Sequence, residues 1–149
     1  MSLTDPTEYN DAYPTCVETH STLRIFSDEL APDEITEVLK IEPTKVFRKG
    51  DSHGRGRFKR KTNAWFYSTE KLSTSRDTRR HIDLILGALA RKIHLLKKLH
   101  RKDCKIDIVS FYRSVGQGGP WLMPQQMLKL GKLGIHVWWD IYFADDLRK

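Results

Sequence analysis

The chain is short of the residues that announce most kinds of chemistry. Of its 149 residues only two are cysteines, Cys16 and Cys104, far apart and in no C-x-x-C spacing that would hold a metal. Both stand in apolar, strand-like surroundings, where a free thiol behaves as a small buried hydrophobe. The six histidines are scattered, and His94 and His100, six apart on a predicted helix, do not share a face, so no metal site is expected. Two glycine-rich stretches, Gly54-Arg55-Gly56 and Gly116-Gln117-Gly118-Gly119-Pro120, lack the Gly-Lys-Ser/Thr and following helix of a phosphate-binding loop. No serine, cysteine or threonine stands in a nucleophile motif. These absences leave no reaction to propose: an enzyme is not the expected reading, and no cofactor is expected. No apolar run approaches the ~20 residues of a membrane span, and residues 1–15 are polar and acidic without the apolar stretch of a signal peptide. The expectation is a cytoplasmic protein in a reducing compartment, with no membrane partner.

What is present is a globular composition with a basic bias. Hydrophobic residues make up 39% and charged residues 30%, the balance of a folded domain. Lys and Arg number 26 against 19 acids, a net charge of +7, which favours anionic partners without naming one. The length is that of one domain, able to bury about 68–70% of its unfolded surface without a metal or disulfide. Residues 1–15 read as a flexible arm and 16–149 as a single α+β domain.

Periodicity gives the elements. Cys16 to Phe26 alternates as a long strand, with Val17, Thr19, Ser21, Leu23 and Ile25 on one face. Pro32-Asp33-Glu34 opens a helix with Ile35, Val38 and Leu39 inward, and Pro43 stops it. A short strand from Thr44 to Lys49 and a returning aromatic strand from Asn63 to Thr69 flank a basic tip. From Thr74 to about His100 one long helix is predicted, with Ile82, Ile85, Leu86, Leu89, Ile93 and Leu96 inward and Arg79, Arg80, Arg91, Lys92, Lys97 and Lys98 outward. A strand over Lys105 to Arg113 follows. A third helix starts at Pro124, with Met127, Leu128 and Leu130 inward, and ends at a glycine cap, Gly134. The last strand, Ile135 to Phe143, places Val137, Trp139, Ile141 and Phe143 toward the core and His136, Trp138, Asp140 and Tyr142 on the opposite face. The order β-α-β-β-α-β-α-β begins as a ferredoxin-like unit, so an antiparallel-rich sheet with helices on one face is expected.

Two surfaces point to partners. Between Lys45 and Lys61 eight Lys/Arg residues face a single acid, Asp51. Arg48, Lys49, Arg55, Arg57, Lys59, Arg60 and Lys61 are the candidate anion-binding set; the bland alternative is a solvated hairpin tip. The second surface is aromatic: His136, Trp138, Asp140 and Tyr142, with Trp65, are candidate partner-binding residues, because such groups on an open sheet face can anchor a protein or stack bases. Coverage by the third helix or by another subunit is the alternative. A protein partner or a second copy of the chain is the first expectation, sequence-independent nucleic-acid binding through residues 48–61 the second, and an enzyme of unidentified reaction the third.

Four stretches also carry a family likeness: Leu23-Arg24-Ile25-Phe26 followed by Asp33-Glu34-Ile35; Glu42-Pro43-Thr44 running to Arg48-Lys49-Gly50-Asp51; Trp65; and Gly116 to Pro120 followed by a helix and Asp140-Ile141-Tyr142. Over roughly residues 16–143 the chain resembles the uncharacterised bacterial family called domain of unknown function four-two-seven-nine. The resemblance implies the fold class above and supplies no reaction, ligand or catalytic residue. The basic run from Arg55 to Lys61 is richer than the family pattern requires.

Overall fold

The computed structural model of the protein describes residues 6–144; residues 1–5 of the predicted arm and 145–149 of the predicted domain lie outside that range. The elements run β1 (Cys16–Ser27), α1 (Pro32–Leu39), β2 (Lys45–Phe47), β3 (Ser52–His53), β4 (Phe58–Lys59), β5 (Asn63–Ser68), α2 (Thr78–Ala88), α3 (Ile93–Arg101), β6 (Lys105–Ser114), α4 (Pro124–Leu133) and β7 (His136–Phe143). Five strands form a mixed sheet in the order β2-β5-β1-β6-β7, and β3 and β4 form a separate small hairpin. Neighbours are antiparallel except β6 and β7, which are parallel and joined through α4, as a parallel pair requires a crossover. The fold is therefore α+β.

One sheet face is the core. Leu23 and Ile25 of β1, Trp65 of β5 and Ile106 and Ile108 of β6 pack with Ile35, Leu39, Ile82, Ile85, Leu86, Leu89, Leu96, Leu99 and Leu130 from the helices. Cys16 and Cys104 are both buried free thiols, as their surroundings suggested. Alternation in β1 and β6 works as expected because each has one face on the helices and one away from them.

Four expectations need correction. The predicted helix from Thr74 to His100 is two helices. The chain turns at Ala90 to Lys92 with Arg91 in the left-handed region (φ 64), a position where glycine would have been the usual signal. Arg79 is not on an exposed face: it is buried and bonded to Asp77. In α4 the buried positions are Gln126 and Leu130, while Met127 and Leu128 are exposed. The polar Gln126 faces inward because its amide is satisfied, donating to the Arg79 carbonyl at 2.9 Å and to Asp83 at 2.8 Å. In β7 only Val137 packs against the core. Trp139 is half-buried, and Ile141 and Phe143 are exposed, Phe143 by 72%. Among the described residues the strand is a sheet edge, and its second half is exposed.

The arm is tied down where it is described. Asn10 N–H donates to Asp77, Asp11 pairs with Arg80 and accepts from Ser75, and Tyr9 donates to Asp83. Burial, followed by the hydrogen bond to Asp83, pushes the Tyr9 phenol up to about 12, so it stays a donor. No helix is long and apolar enough to cross a membrane among the described residues.

Candidate functional site

The sheet face opposite the helices is open among the described residues, and its register decides what it displays. The pairs Arg24↔Phe66 and Phe26↔Ala64, and Lys45↔Phe66 with Phe47↔Ala64, put Phe26, Phe47 and Phe66 together at one end. Phe66 lies between the other two rings, edge-on, at 5.8 Å from Phe26 and 5.7 Å from Phe47. Arg24, held by two hydrogen bonds to Asp107 (2.8 and 2.7 Å), places its guanidinium 5.1 Å from both the Phe26 and Trp138 rings. Aromatic floor and fixed cation thus run from β2 across to β7.

The basic segment folds over the end of this floor. Asp51 organises its base: Arg48 N–H donates to the Asp51 carboxylate at 2.8 Å, and Arg60 N–H to its carbonyl at 2.7 Å. Gly50 N–H returns to Arg60 C=O at 2.8 Å, and Lys49 N–H to Asn63 at 2.8 Å. The reversal between β3 and β4 uses three successive left-handed residues, Gly54 (φ 61), Arg55 (φ 59) and Gly56 (φ 81), which explains the glycine spacing. Between hairpin and sheet lies a cleft of about 660 Å³, floored by Phe26, Phe47, Ala64 and Phe66 and walled by His53, Arg57, Phe58, Lys59, Arg60, Lys61 and Thr62. Arg60 sits 3.9 Å from the Phe47 ring centre and Lys45 4.8 Å from it. Phe58 is exposed and close to His53, ring centres 5.5 Å apart.

The basic candidates divide. Arg57, Lys59, Arg60 and Lys61 converge on the cleft. Arg55 occupies the tip, and Arg48 is engaged by Asp33 at 3.0 Å. Among the described residues no carboxylate pairs with Arg55, Arg57, Lys59, Arg60 or Lys61. Of the aromatic candidates, Trp65 is corrected: it is 0% exposed, opposite Ile25 on the core side, with its indole N–H donating to Thr36 at 3.0 Å. It cannot touch a partner of the folded chain. His136, Trp138 and Tyr142 are exposed on the open face and Asp140 is half-buried there; Tyr142 leans on Phe111 at 5.4 Å and donates to Asp140 at 3.2 Å. Sequence reasoning passed over Phe26, Phe47 and Phe66. Each was visible as an aromatic in a strand, but their gathering depends on pairing between three strands.

At the other end of the same face Glu18, His20 and Glu70 converge. On the helix side a recess of about 940 Å³ runs between α2, α4 and the arm, with Arg91, Lys129 and Lys132 on its rim and Pro6 at its margin.

A family model described as a domain of unknown function (DUF4279) matches residues 17–144. No curated protein and no solved structure matches.

Proposed function

The chain belongs to the DUF4279 family, a domain of unknown function, and from that premise we propose that it is a non-enzymatic binding domain that holds single-stranded nucleic acid in the cleft between the basic hairpin and the open sheet face. The observation that carries this is the pairing of an aromatic floor with four unneutralised cations on one wall. Bases present π-faces that stack on rings such as Phe58 and Phe66, and the phosphates between them meet Arg57, Lys59, Arg60 and Lys61. Neither component reads base edges, so binding is independent of sequence. The domain is read as ferredoxin-like in the run β6-β1-β5-β2, antiparallel throughout, with β7 added at its edge; this leaves one sheet face free for a ligand.

Titration of a labelled single-stranded oligonucleotide tests the reading. Five contacts, the four cations of the cleft wall and Arg55 at the hairpin tip, at about −0.7 each give a slope of log K against log salt of about −3.5. Changing Arg55, Arg57, Lys59, Arg60 and Lys61 to Ser or Gln should remove most of that slope and weaken binding at low salt by about tenfold or more. Phe58→Ala, at an exposed position, should cost about 1–3 kcal/mol if a base stacks there. Equal affinity of wild type and the five-residue variant, or no binding at low salt, would reject the proposal.

A second reading rests on β7. Trp138, Ile141, Tyr142 and Phe143 are all exposed on a strand that, among the described residues, pairs on one side only. Such an edge is open to another strand, so a protein partner or second copy would engage His136, Trp138, Asp140 and Tyr142 there. Light scattering at high concentration decides for self-association: a dimer that Tyr142→Lys returns to monomer supports it, and a persistent monomer removes it.

A further inference from the structure

We propose that Glu18, His20 and Glu70 form a binding site for a divalent transition-metal ion, distinct from the cleft at the other end of the sheet. Glu18 and His20 are two apart on β1 and therefore project from the same face. The β1–β5 register pairs Thr22 with Ser68; continued by two positions it brings Glu70 across from His20. One ligand atom from each of the three side chains lies within 4.8 Å of the other two. A tetrahedral ion with bonds of about 2.1 Å would hold its ligands about 3.4 Å apart, so closing the site takes movements of about an ångström. The two glutamates are exposed and can supply that movement by rotation alone.

Three further observations favour an ion. His20 is half-buried, and its Nδ1 is shielded from solvent with no hydrogen-bond partner, a nitrogen left without its usual satisfaction. Its ring lies nearly parallel to Phe111, ring centres 5.0 Å apart, which fixes its orientation as the outer shell of a metal site does. Glu70 has no cationic partner among the described residues. An imidazole with two carboxylates is a donor set for zinc and its neighbours in the first transition row, and three protein ligands leave a position for water. Arg113 opposes the ion: it stands opposite Glu18 across the β1–β6 pair, at 3.7 Å, and Lys71 borders the same region. These two cations hold the affinity down, and Arg113 must release Glu18 when the ion enters.

The untagged full chain titrated with Zn²⁺ against a chromogenic chelator should bind one ion. Its thermal midpoint should rise with zinc concentration, as a ligand of the folded state requires. His20→Ala and Glu70→Gln should each weaken binding by about tenfold or more, which is about 1.4 kcal/mol. His94→Ala, on the exposed side of α3, should leave it unchanged. Arg113→Gln should tighten binding, because it removes the competing cation; a merely structural role for the cluster predicts no such gain. Glu70→Gln is near-isosteric and exposed, so its result stands if His20→Ala fails to fold. Absence of binding at about 100 µM Zn²⁺, or undiminished affinity in Glu70→Gln, would overturn the site.

Discussion

Trp65→Ala should destabilise the protein by about 3–5 kcal/mol, measured by urea denaturation. The side chain is fully buried in β5, the strand between β1 and β2, and packs beneath α1 against the main cluster. Its removal leaves a cavity among side chains fixed on a sheet on one side and a helix on the other, which collapse poorly. It also takes the indole donor from Thr36. Against a total of about 5–15 kcal/mol for a domain, that loss is a large fraction. Trp65→Phe should recover part of it by refilling most of the volume. A loss below about 1 kcal/mol for the alanine variant would contradict the burial described.

Asp77→Ala should be comparably severe, at about 3–5 kcal/mol, because it strands a buried guanidinium. The Asp77 carboxylate caps α2 by accepting Arg79 N–H at 3.0 Å, takes the Arg79 side chain at 2.7 and 3.0 Å, and holds Asn10 N–H at 2.7 Å. Arg79 also lies 4.4 Å from the Trp121 ring and donates to Glu8 C=O. Asp77 thus joins helix start, arm and the loop before α4. Replacing Asp77 by Asn and Arg79 by Met together should cost less than Asp77→Ala, since the cap survives and no charge is left unpaired.

The same residue shapes the acid side of the stability curve. Burial acts to raise the Asp77 carboxyl, but the hydrogen bonds from Arg79 and Asn10 win and hold it below the usual range. His81 is buried too, bonded to Thr69 at 2.7 Å and to Ser75 C=O at 2.8 Å, and desolvation lowers its pKa. Both folded-state values lie below the unfolded ones, so in both cases the unfolded chain takes up the proton first as pH falls. Between about 6.5 and 8 these two groups leave stability flat; it should decline as the unfolded histidine titrates, and decline again below about 3.9 as the unfolded aspartate does. Denaturant midpoints across pH 3 to 8 check this; a His81→Gln variant that keeps the upper decline would assign it elsewhere.

How far the sequence could be read depends on whether a feature is local. Alternation in β1 and β6 is local, and so are Pro32 at the start of α1 and Gly134 at the end of α4; all were legible. The break at Arg91 was not. Leu89 and Ile93 are four apart, so the helical period runs straight through the turn, and an arginine in the left-handed region leaves no mark. The phase of α4 misled because Gln126 is buried by virtue of hydrogen bonds that it donates to acceptors in α2. Trp65 alternates with Ala64 and Phe66, but which side is the core follows only from the pairing with Ile25. The same limit hid the three phenylalanines of the cleft and the approach of Glu70 to His20: the charge density of the basic segment is written in consecutive residues, while the surface it folds over is assembled from three strands.

The parallel pairing of β6 with β7 has a consequence during synthesis. Strands β2, β5, β1 and β6 can align as soon as β6 has emerged, but β7 reaches its place only after α4 has been made and has crossed the helix layer. Until then the β6 backbone edge has no neighbour, with Ile108 on one side of it and Val109 and Phe111 on the other. At roughly 5–20 residues per second the ribosome needs on the order of a second or more to supply the missing segment. For that interval the nascent chain carries an uncapped template for strand addition, and a chaperone that shelters exposed strand edges would have its effect on this protein before β7 docks rather than after.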